Sequence, residues 1–327
     1  MKIGILGCTG AVGQQMLQCL SERNIEVEEL RLFASQRSVG RIFEFKDKKI
    51  VVEDMATKRF DNLDYVLGAL EADLSKEIAD DVVKAGAIYI DNSSAFRLDD
   101  NVPLVVPEVN GNDVCNHSGI IANPNCSTII TMVACNAINK LSPINKMIVS
   151  TYQAVSGAGV KGMQELNEQI RSLGHGQPCV NEIFSKQIAF NCIPQIGAEL
   201  ENGFTTEEMK LQNESRKILH NPELIVNCTC VRVPVMRSHS ISITCNLDQA
   251  KDLEEIKKAL MNACGISLMD VPTPLDSSNQ DLVYVGRIRK DPIFENGLTL
   301  WCVGDQIRKG AATNAIQILE ECEKLIS

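Results

Sequence analysis

The first twenty residues constrain the fold most. Lys2-Ile3-Gly4-Ile5-Leu6-Gly7 is a short apolar run, and it leads into Gly7-Cys8-Thr9-Gly10-Ala11-Val12-Gly13 and then a helical pattern over 14–20. A strand that feeds a helix through a glycine turn opens a βαβ unit. Glycines at such a turn let the backbone approach a pyrophosphate, and the helix N-terminus offers free N–H groups to it. The spacing is not G-x-G-x-x-G, so a plain tight turn is the competing reading. Further strands at 30–35, 65–70, 87–91 and 119–122 alternate with a helix over 75–85, for which Ser75 is the expected N-cap. This alternation predicts a parallel sheet covered by helices on both faces.

The pattern changes after residue 125. A helix over 127–141 is followed by strands at 146–155, 226–235, 238–247 and 298–303, interrupted by helices at 160–173, 206–220 and 253–263. A final amphipathic helix over 309–326 can pack back on the first domain. The expected fold is therefore an α/β dinucleotide-binding (Rossmann-type) domain plus an α+β catalytic domain with a mainly antiparallel sheet. Its domains are 1–125 with 308–327, for the cofactor, and 126–307, for catalysis and oligomerisation.

A length of 327 residues suits two domains, and 44% hydrophobic with 23% charged residues is ordinary for a soluble chain. The net charge of −10 leaves no basic footprint for nucleic acid or an anionic bilayer. No apolar run approaches the ~18 residues of a membrane span, and the N-terminus shows no signal-peptide anatomy. Thirteen cysteines, an odd number in a long chain, read as free thiols of a reducing cytoplasm. There is no C-x-x-C, only Cys228-Thr229-Cys230 in an apolar run, and the four histidines are scattered, so no metal site is expected.

Three groups of residues carry chemistry. After the second strand comes Ala34-Ser35-Gln36-Arg37-Ser38-Val39-Gly40, with no acid to hold a ribose 2′-OH. Ser35, Arg37 and Ser38 suit a 2′-phosphate, which favours NADP(H) over NAD; a solvated loop is the alternative. Cys126, in Asn125-Cys126-Ser127-Thr128, sits at an expected helix N-terminus, where positive potential favours the thiolate. A cysteine nucleophile needs an acid/base partner. His239 lies between two strands at an expected cleft edge; His117 and His175 lie in polar, turn-rich stretches, and His220 follows a helix end. Arg232, in the apolar strand Cys230-Val231-Arg232-Val233, must face solvent or meet an anion. Glu207 and Lys210 share a helix face, as an ordinary surface ion pair would. Arg97 follows a strand of the first domain.

Together these segments resemble the aspartate-β-semialdehyde dehydrogenase family over nearly the whole chain. Further matching pieces are Asp91-Asn92-Ser93-Ser94-Ala95-Phe96-Arg97, Val106-Pro107-Glu108-Val109-Asn110 and Tyr152-Gln153-Ala154-Val155-Ser156-Gly157-Ala158-Gly159. Arg308-Lys309-Gly310-Ala311-Ala312 completes the series. The resemblance implies NADPH-dependent conversion of L-aspartyl 4-phosphate to L-aspartate 4-semialdehyde and phosphate, in the synthesis of lysine (through diaminopimelate), threonine, methionine and isoleucine. It implies Cys126 as nucleophile, His239 as general acid/base and Gln153 as the residue that positions the intermediate. Arg232 would bind the substrate carboxylate, Glu207 its ammonium, and Arg97, Asn125 and Lys210 the phosphate. Gly7, Thr9, Gly10, Ala11, Val12, Gly13, Ser35, Arg37 and Ser38 are the expected cofactor contacts of the first domain. Ser156, Gly157, Gly159 and Asn314 join them by resemblance. A homodimer or homotetramer is implied as well.

Two features depart from the family pattern. Asp305-Gln306-Ile307 stands where Asp-Asn-Leu is common, and Glu208 follows Glu207, so either glutamate can face the ligand. A lysine three residues on favours Glu207. Three other readings compete: an N-acetyl-γ-glutamyl-phosphate reductase, a glyceraldehyde-phosphate dehydrogenase and a non-catalytic NADP-binding redox sensor. The Glu207 and Arg232 pair speaks against the first, the missing acid after the second strand against an NAD-dependent form of the second. The sensor has no need of Cys126, Gln153, Arg232 and His239 together.

Overall fold

The computed structural model of the chain describes residues 1–23 and 25–326; Asn24 and Ser327, both inside the expected first domain, lie outside them. The chain forms two compact units, Met1–Asn125 with the segment from Ala311 onward, and Cys126–Gly310. The return to the first unit comes at Ala311 rather than at 308.

The first unit begins β1 (Lys2–Leu6), α1 (Ala11–Glu22), β2 (Glu29–Ala34), β3 (Ile42–Phe45), β4 (Lys48–Asp54), β5 (Tyr65–Gly68) and α2 (Ala72–Lys84). It continues with β6 (Ile88–Asp91), the single turn α3 (Pro107–Asn110) and β7 (Ile120–Ala122). The seven strands lie in the order β3-β4-β2-β1-β5-β6-β7, parallel except for the β3–β4 hairpin. One core cluster packs Ile3, Ile5, Met16, Leu20 and Leu32 with Ile316 and Leu319 of the C-terminal helix; the other packs Leu6, Phe33, Phe60 and Val66 with Ile78 and Val82 of α2. Both faces of the sheet are thus covered. The chain leaves β1 toward β2 on one side and later fills β5 on the other, so the order reverses at β1 and β5. In open α/β sheets that crevice, at the carboxyl ends of the strands, is where ligands bind.

The second unit runs α4 (Cys126–Leu141), β8 (Ile144–Gln153), α5 (Gly159–Gly174), α6 (Thr206–Ile218), β9 (Ile225–Arg232), β10 (His239–Leu247) and α7 (Leu253–Met261). It ends with β11 (Ile266–Leu268), the single turn α8 (Pro274–Ser277), β12 (Val283–Lys290) and β13 (Gly297–Gly304). Its six strands are ordered β11-β12-β13-β10-β8-β9. The inner pairs are antiparallel, and β11–β12 and β8–β9 are parallel. Alternation is clean on β9, where Val226, Cys228, Cys230 and Arg232 point inward and Ile225, Asn227 and Thr229 outward.

Three expectations need correction. Ser75 is not an N-cap: α2 starts at Ala72, and the buried Ser75 hydroxyl meets the Tyr89 hydroxyl at 2.9 Å. The β3–β4 hairpin and the β11–β12 pair are additional strands. The last helix opens as a π-turn over Arg308–Ala312 before α9 (Thr313–Ile326).

Candidate functional site

In the first unit, the turn after β1 is built by backbone crowding. Gly7 has φ +71°, and a Cβ there would lie 2.3 Å from the Ala69 carbonyl oxygen. A Cβ on Gly13 would lie 2.3 Å from the Gly7 carbonyl oxygen and 2.7 Å from Cys8 Cα. Gly10 is the N-cap of α1 with no side-chain cap, and the first turn, containing Ala11 and Val12, holds no acid. The result is a helix N-terminus at the end of β1, with no capping side chain and no acid, that fits a pyrophosphate. Gln14 fixes the turn by donating to the Thr9 carbonyl at 2.8 Å. After β2, Ser35 stands at the N-cap position of a single helical turn over Gln36–Ser38 without a side-chain capping bond, with Ser35 and Arg37 exposed and Ser38 half-buried. No carboxylate stands between β2 and Gly40 to oppose a 2′-phosphate.

Also in this unit, Arg97 is buried, donating from Nε to the Asn123 carbonyl at 3.0 Å and from Nη2 to the Asn92 carbonyl at 2.7 Å. Asn123 in turn donates to Asn92 Oδ1 at 2.8 Å and accepts from Asn314 Nδ2 at 2.6 Å. A chain of amides thus runs from Asn314 to the segment that ends at the buried Asn125, next to Cys126.

The second unit gathers the other candidates. Cys126 is the first residue of the 16-residue α4 and is partly accessible. Gly310 lies against it: a Cβ there would be 2.9 Å from Cys126 Cβ. Burial pushes other thiols up, Cys8 to about 11 and Cys245 to about 12, so these are packing residues. Cys228 and Cys230 are likewise buried, with Sγ atoms 3.7 Å apart.

β8 and β9 end, and β10 begins, side by side, carrying Gln153, Arg232 and His239. Gln153 Nε2 donates to Glu207 Oε1 at 3.1 Å, and Glu207 Oε2 accepts from Lys210 Nζ at 2.9 Å. This is no ordinary surface pair, because the Glu207 side chain is only 10% exposed and Lys210 is 34%. Glu208 is committed elsewhere: it closes a capping box with Thr205 and accepts from the Cys230 N–H at 3.0 Å. Glu207 is therefore the glutamate that turns to Gln153.

Arg232 meets neither solvent nor a directly bonded acid. Its Nη1 donates to the Ala154 carbonyl at 2.7 Å, its guanidinium carbon stands 5.9 Å from the Phe184 ring centroid, and Glu207 and Cys126 act on it through their charge. Glu165 of α5 accepts from the Glu182 N–H at 3.0 Å, pinning the irregular stretch before Phe184. Ile193 exchanges two backbone bonds with Arg232. These walls and Arg232 enclose a cleft of about 290 Å³ with Gln195 and Ser185 on its rim.

His239, the first residue of β10, is fully buried rather than at an open edge. Its Nδ1 accepts from the Ala154 N–H at 3.1 Å, and its Nε2 lies 3.4 Å from Gln153 Nε2. Burial, reinforced by the Arg232 charge and opposed by Glu207, pushes the imidazole down to about 3, so it is neutral near pH 7.

Of the second unit's expected cofactor residues, Gly157 lies closest to this group. A Cβ there would come 2.8 Å from Arg232 Nη1 and 3.5 Å from His239 Nε2. Gly157→Ala should therefore cut turnover roughly 100-fold by displacing the guanidinium, with an unchanged circular dichroism spectrum; steady-state kinetics will check it. The buried Ser156 hydroxyl bonds Gln306, which also accepts from the Ser238 N–H at 2.8 Å. Gly159 has φ +74° at the start of α5, with open space where a Cβ would point.

Sequence reasoning missed four contributors: Ala154, Gly310, Gln306 and Asp305. Asp305 is fully buried and accepts from Arg237, Asn279, Ile307 and Arg308, which orders the turn leading to Gly310. All four lay in quoted stretches, Ala154 and Gly310 within motifs and Asp305 and Gln306 in the stretch that departs from the family pattern, but none was singled out. Among the described residues no three His, Cys, Asp or Glu side chains gather as metal ligands.

The fold and this cluster belong to a two-domain oxidoreductase class. Residues 2–117 match the family described as semialdehyde dehydrogenase, NAD binding domain, and residues 135–309 the one described as semialdehyde dehydrogenase, dimerisation domain. The aspartate-semialdehyde dehydrogenase of Bacillus subtilis is 45% identical, with 99% of this chain and 98% of that protein covered. Aspartate-semialdehyde dehydrogenase 2 of Vibrio cholerae is 44% identical, with 98% and 96% covered. A crystal structure of aspartate semialdehyde dehydrogenase II from Vibrio cholerae, complexed with ASA, superposes with a TM-score of 0.97 at 42% identity, covering 99% and 98%. A Candida albicans aspartate semialdehyde dehydrogenase with NADP superposes with a TM-score of 0.77 at 26% identity, covering 98% of both chains. This chain belongs to the aspartate-semialdehyde dehydrogenase family and, with it, to the oxidoreductases of amino-acid biosynthesis.

Proposed function

We propose that this protein reduces L-aspartyl 4-phosphate with NADPH to L-aspartate 4-semialdehyde and phosphate, through a thioester on Cys126. The pathways served are those to lysine through diaminopimelate, threonine, methionine and isoleucine, in the cytoplasm. The observation that carries this reading is the grouping in one unit of a partly accessible cysteine at a helix start, a buried arginine, a glutamate–lysine pair and a buried imidazole. The Vibrio cholerae structure complexed with ASA and the Candida albicans structure with NADP support substrate and cofactor.

When bound, NADP(H) supplies the hydride. Cys126 attacks the acyl phosphate, forming the C–S bond as phosphate leaves with the electron pair of the C–O bond. Arg97, Asn125 and Lys210 offset its charge. Arg232 holds the substrate carboxylate, Glu207 the ammonium, and Gln153 the acyl group. His239 serves the carbonyl oxygen as acid/base during reduction and release. The exposed Cys115, Cys192 and Cys264 and the absence of disulfides among the described residues support a reducing compartment.

The testing experiment is the reverse reaction: L-aspartate 4-semialdehyde, phosphate and either NADP or NAD, followed by absorbance of the reduced cofactor. Phosphate-dependent NADPH formation is expected; no reduction with either cofactor by the folded protein would overturn the proposal. Arg37→Ala should raise the KM for NADP about tenfold or more, since a hydrogen bond to a charged group contributes ~1.5–3 kcal/mol, while leaving the KM for NAD nearly unchanged. Equal effects on both cofactors would remove Arg37 from the 2′-phosphate site.

We also infer a homodimer or homotetramer assembled on the outer face of the six-stranded sheet. Ile148, Tyr152 and Ile225 are exposed there, and Tyr152 packs on Trp301 with ring centroids 5.4 Å apart. The match to a dimerisation domain over 135–309 supports it.

A further inference from the structure

Between the end of α5 at Gly174 and the start of α6 at Thr206 the chain forms no helix or strand. From 175 to 187 every residue is exposed except the half-buried Cys179, Phe184 and Gln187. So little buried apolar surface cannot by itself fix the shape of an irregular stretch against its conformational entropy. Polar side chains of α5 hold it instead. The buried face of that helix carries Gly162, Glu165, Leu166 and Gln169. The Glu165 carboxylate accepts from three consecutive backbone N–H groups, those of Glu182 at 3.0 Å, Ile183 at 2.5 Å and Phe184 at 3.4 Å. Gln169, one turn on, accepts from the N–H groups of Ile188 at 2.9 Å and Ala189 at 3.0 Å, and donates to Glu165 Oε1 at 3.1 Å. A buried carboxylate whose charge is met by successive peptide N–H groups selects a backbone shape.

That shape places Phe184. The ring lies over α5 where Gly162 has no side chain, since a Cβ there would stand 3.2 Å from Phe184 Cζ. The Arg232 guanidinium carbon is 5.9 Å from the ring centroid, so the aromatic face flanks the cation. Ile183, Phe184 and Ser185 line the cleft of about 290 Å³ that contains Arg232. Ile193, also on that cleft, needs no such device, because two backbone bonds at 2.8 and 2.9 Å fasten it to Arg232 directly. The stretch 182–184 is tied to the cleft only through α5 and the Phe184 ring.

We propose that Glu165 is a positioning residue, which fixes 182–184 so that the Phe184 ring flanks Arg232 and thereby sets the affinity of the cleft for the carboxylate end of the substrate. This rests on the reading of Arg232 as the carboxylate ligand. Glu165 makes and breaks no bond in the reaction; it acts through Phe184. Without its charge the three N–H groups lose their acceptor, the ring is released, and the guanidinium loses the face that limits its rotation. The phosphate and the cofactor are held by other residues, so the loss falls on one substrate.

The test is Glu165→Gln, which keeps the size of the side chain and one acceptor oxygen but removes the charge, assayed in the reverse reaction. The KM for L-aspartate 4-semialdehyde should rise about tenfold, while kcat and the KM values for phosphate and NADP stay within about threefold. Phe184→Leu should show the same selective rise. The double variant should be no worse than the weaker single variant by more than about twofold, because both break one connection. Additive losses, equal rises in all three KM values, or an unchanged KM for the semialdehyde in either single variant would overturn the proposal. Hydrogen exchange adds a readout that does not depend on turnover. In the parent the Ile183 amide should exchange at least about tenfold more slowly than that of Lys186, and Glu165→Gln should erase the difference. Equal exchange of the two amides in the parent would sink the role of Glu165 even if the variant failed to fold. Failure of the proposed function would show instead as a parent protein with a protected Ile183 amide and no phosphate-dependent cofactor reduction.

Discussion

Cys126→Ala turns over at least about 10⁴-fold more slowly than the parent, yet folds and binds NADPH normally. That is the expected result, because the substitution removes one sulfur at the first residue of α4 and nothing else. Loss of a nucleophile costs on this scale when the residues of a site act as a unit. The stability change should be under about 1 kcal/mol, since Cys126 is not among the fully buried thiols. Cys135→Ala and Cys302→Ala are the controls. Both thiols lie in the core of the second unit and burial pushes them well up, so these variants should lose stability but keep kcat. Circular dichroism, NADPH titration and steady-state kinetics on the three proteins separate the outcomes. Turnover by Cys126→Ala within about tenfold of the parent would remove Cys126 from the chemistry.

The residues that were readable in sequence are those whose roles depend on near neighbours. The turn at Gly7–Gly13 sits between a strand and a helix that are both local, and Cys126 opens a helix whose apolar period is plain. The β3–β4 hairpin was not readable. Its turn at Lys46-Asp47 has neither Gly nor Pro, although Lys46 takes φ +51°, and Glu44, Lys48 and Lys49 are all exposed. β12 was hidden in the same way: Arg287, at φ +55°, interrupts its register with β13, and its end is polar. Ser75 was misread because its partner is Tyr89, fourteen residues away on the next strand.

The candidate site divides along the same line. Gln153 and Glu207 are 54 residues apart, and Ala154 and His239 are 85 apart. Only the parallel pairing of β8 with β9 and the antiparallel pairing of β8 with β10 bring Gln153, Arg232 and His239 to one edge. The residue types were legible through the family resemblance. The role of the Ala154 backbone was not, because a peptide N–H has no signature in sequence.

Gly13→Ala should be the most damaging single-methyl change in the first unit. The added carbon meets only backbone: the Gly7 carbonyl oxygen at 2.3 Å, Cys8 Cα at 2.7 Å and the Gly7 carbonyl carbon at 2.9 Å. None of these can swing aside as a side-chain tip would, so α1 must lift from β1. Met16, Leu17 and Leu20 of that helix pack in the core with Ile3 and Ile5, so the shift is resisted there as well. Overpacking of this kind costs about 1–3 kcal/mol, occasionally more, and lowers Tm by several degrees. If the turn cradles a pyrophosphate, the same displacement moves the N–H groups of the helix start and weakens NADPH binding at least about tenfold, roughly 1.4 kcal/mol. Gly174→Ala, with nothing within 4 Å of its added carbon, controls for glycine replacement as such. Gly10→Ala separates the two effects, because its Cβ would stand 3.4 Å from the Gly7 oxygen, a contact that a small shift relieves. Thermal melts should therefore rank Gly13→Ala far below Gly10→Ala. NADPH titration should fall in both, since a methyl on Gly10 projects at the helix start where a phosphate would approach. A Gly13→Ala protein that melts early yet binds NADPH like the parent would make the turn a packing device and move the cofactor elsewhere.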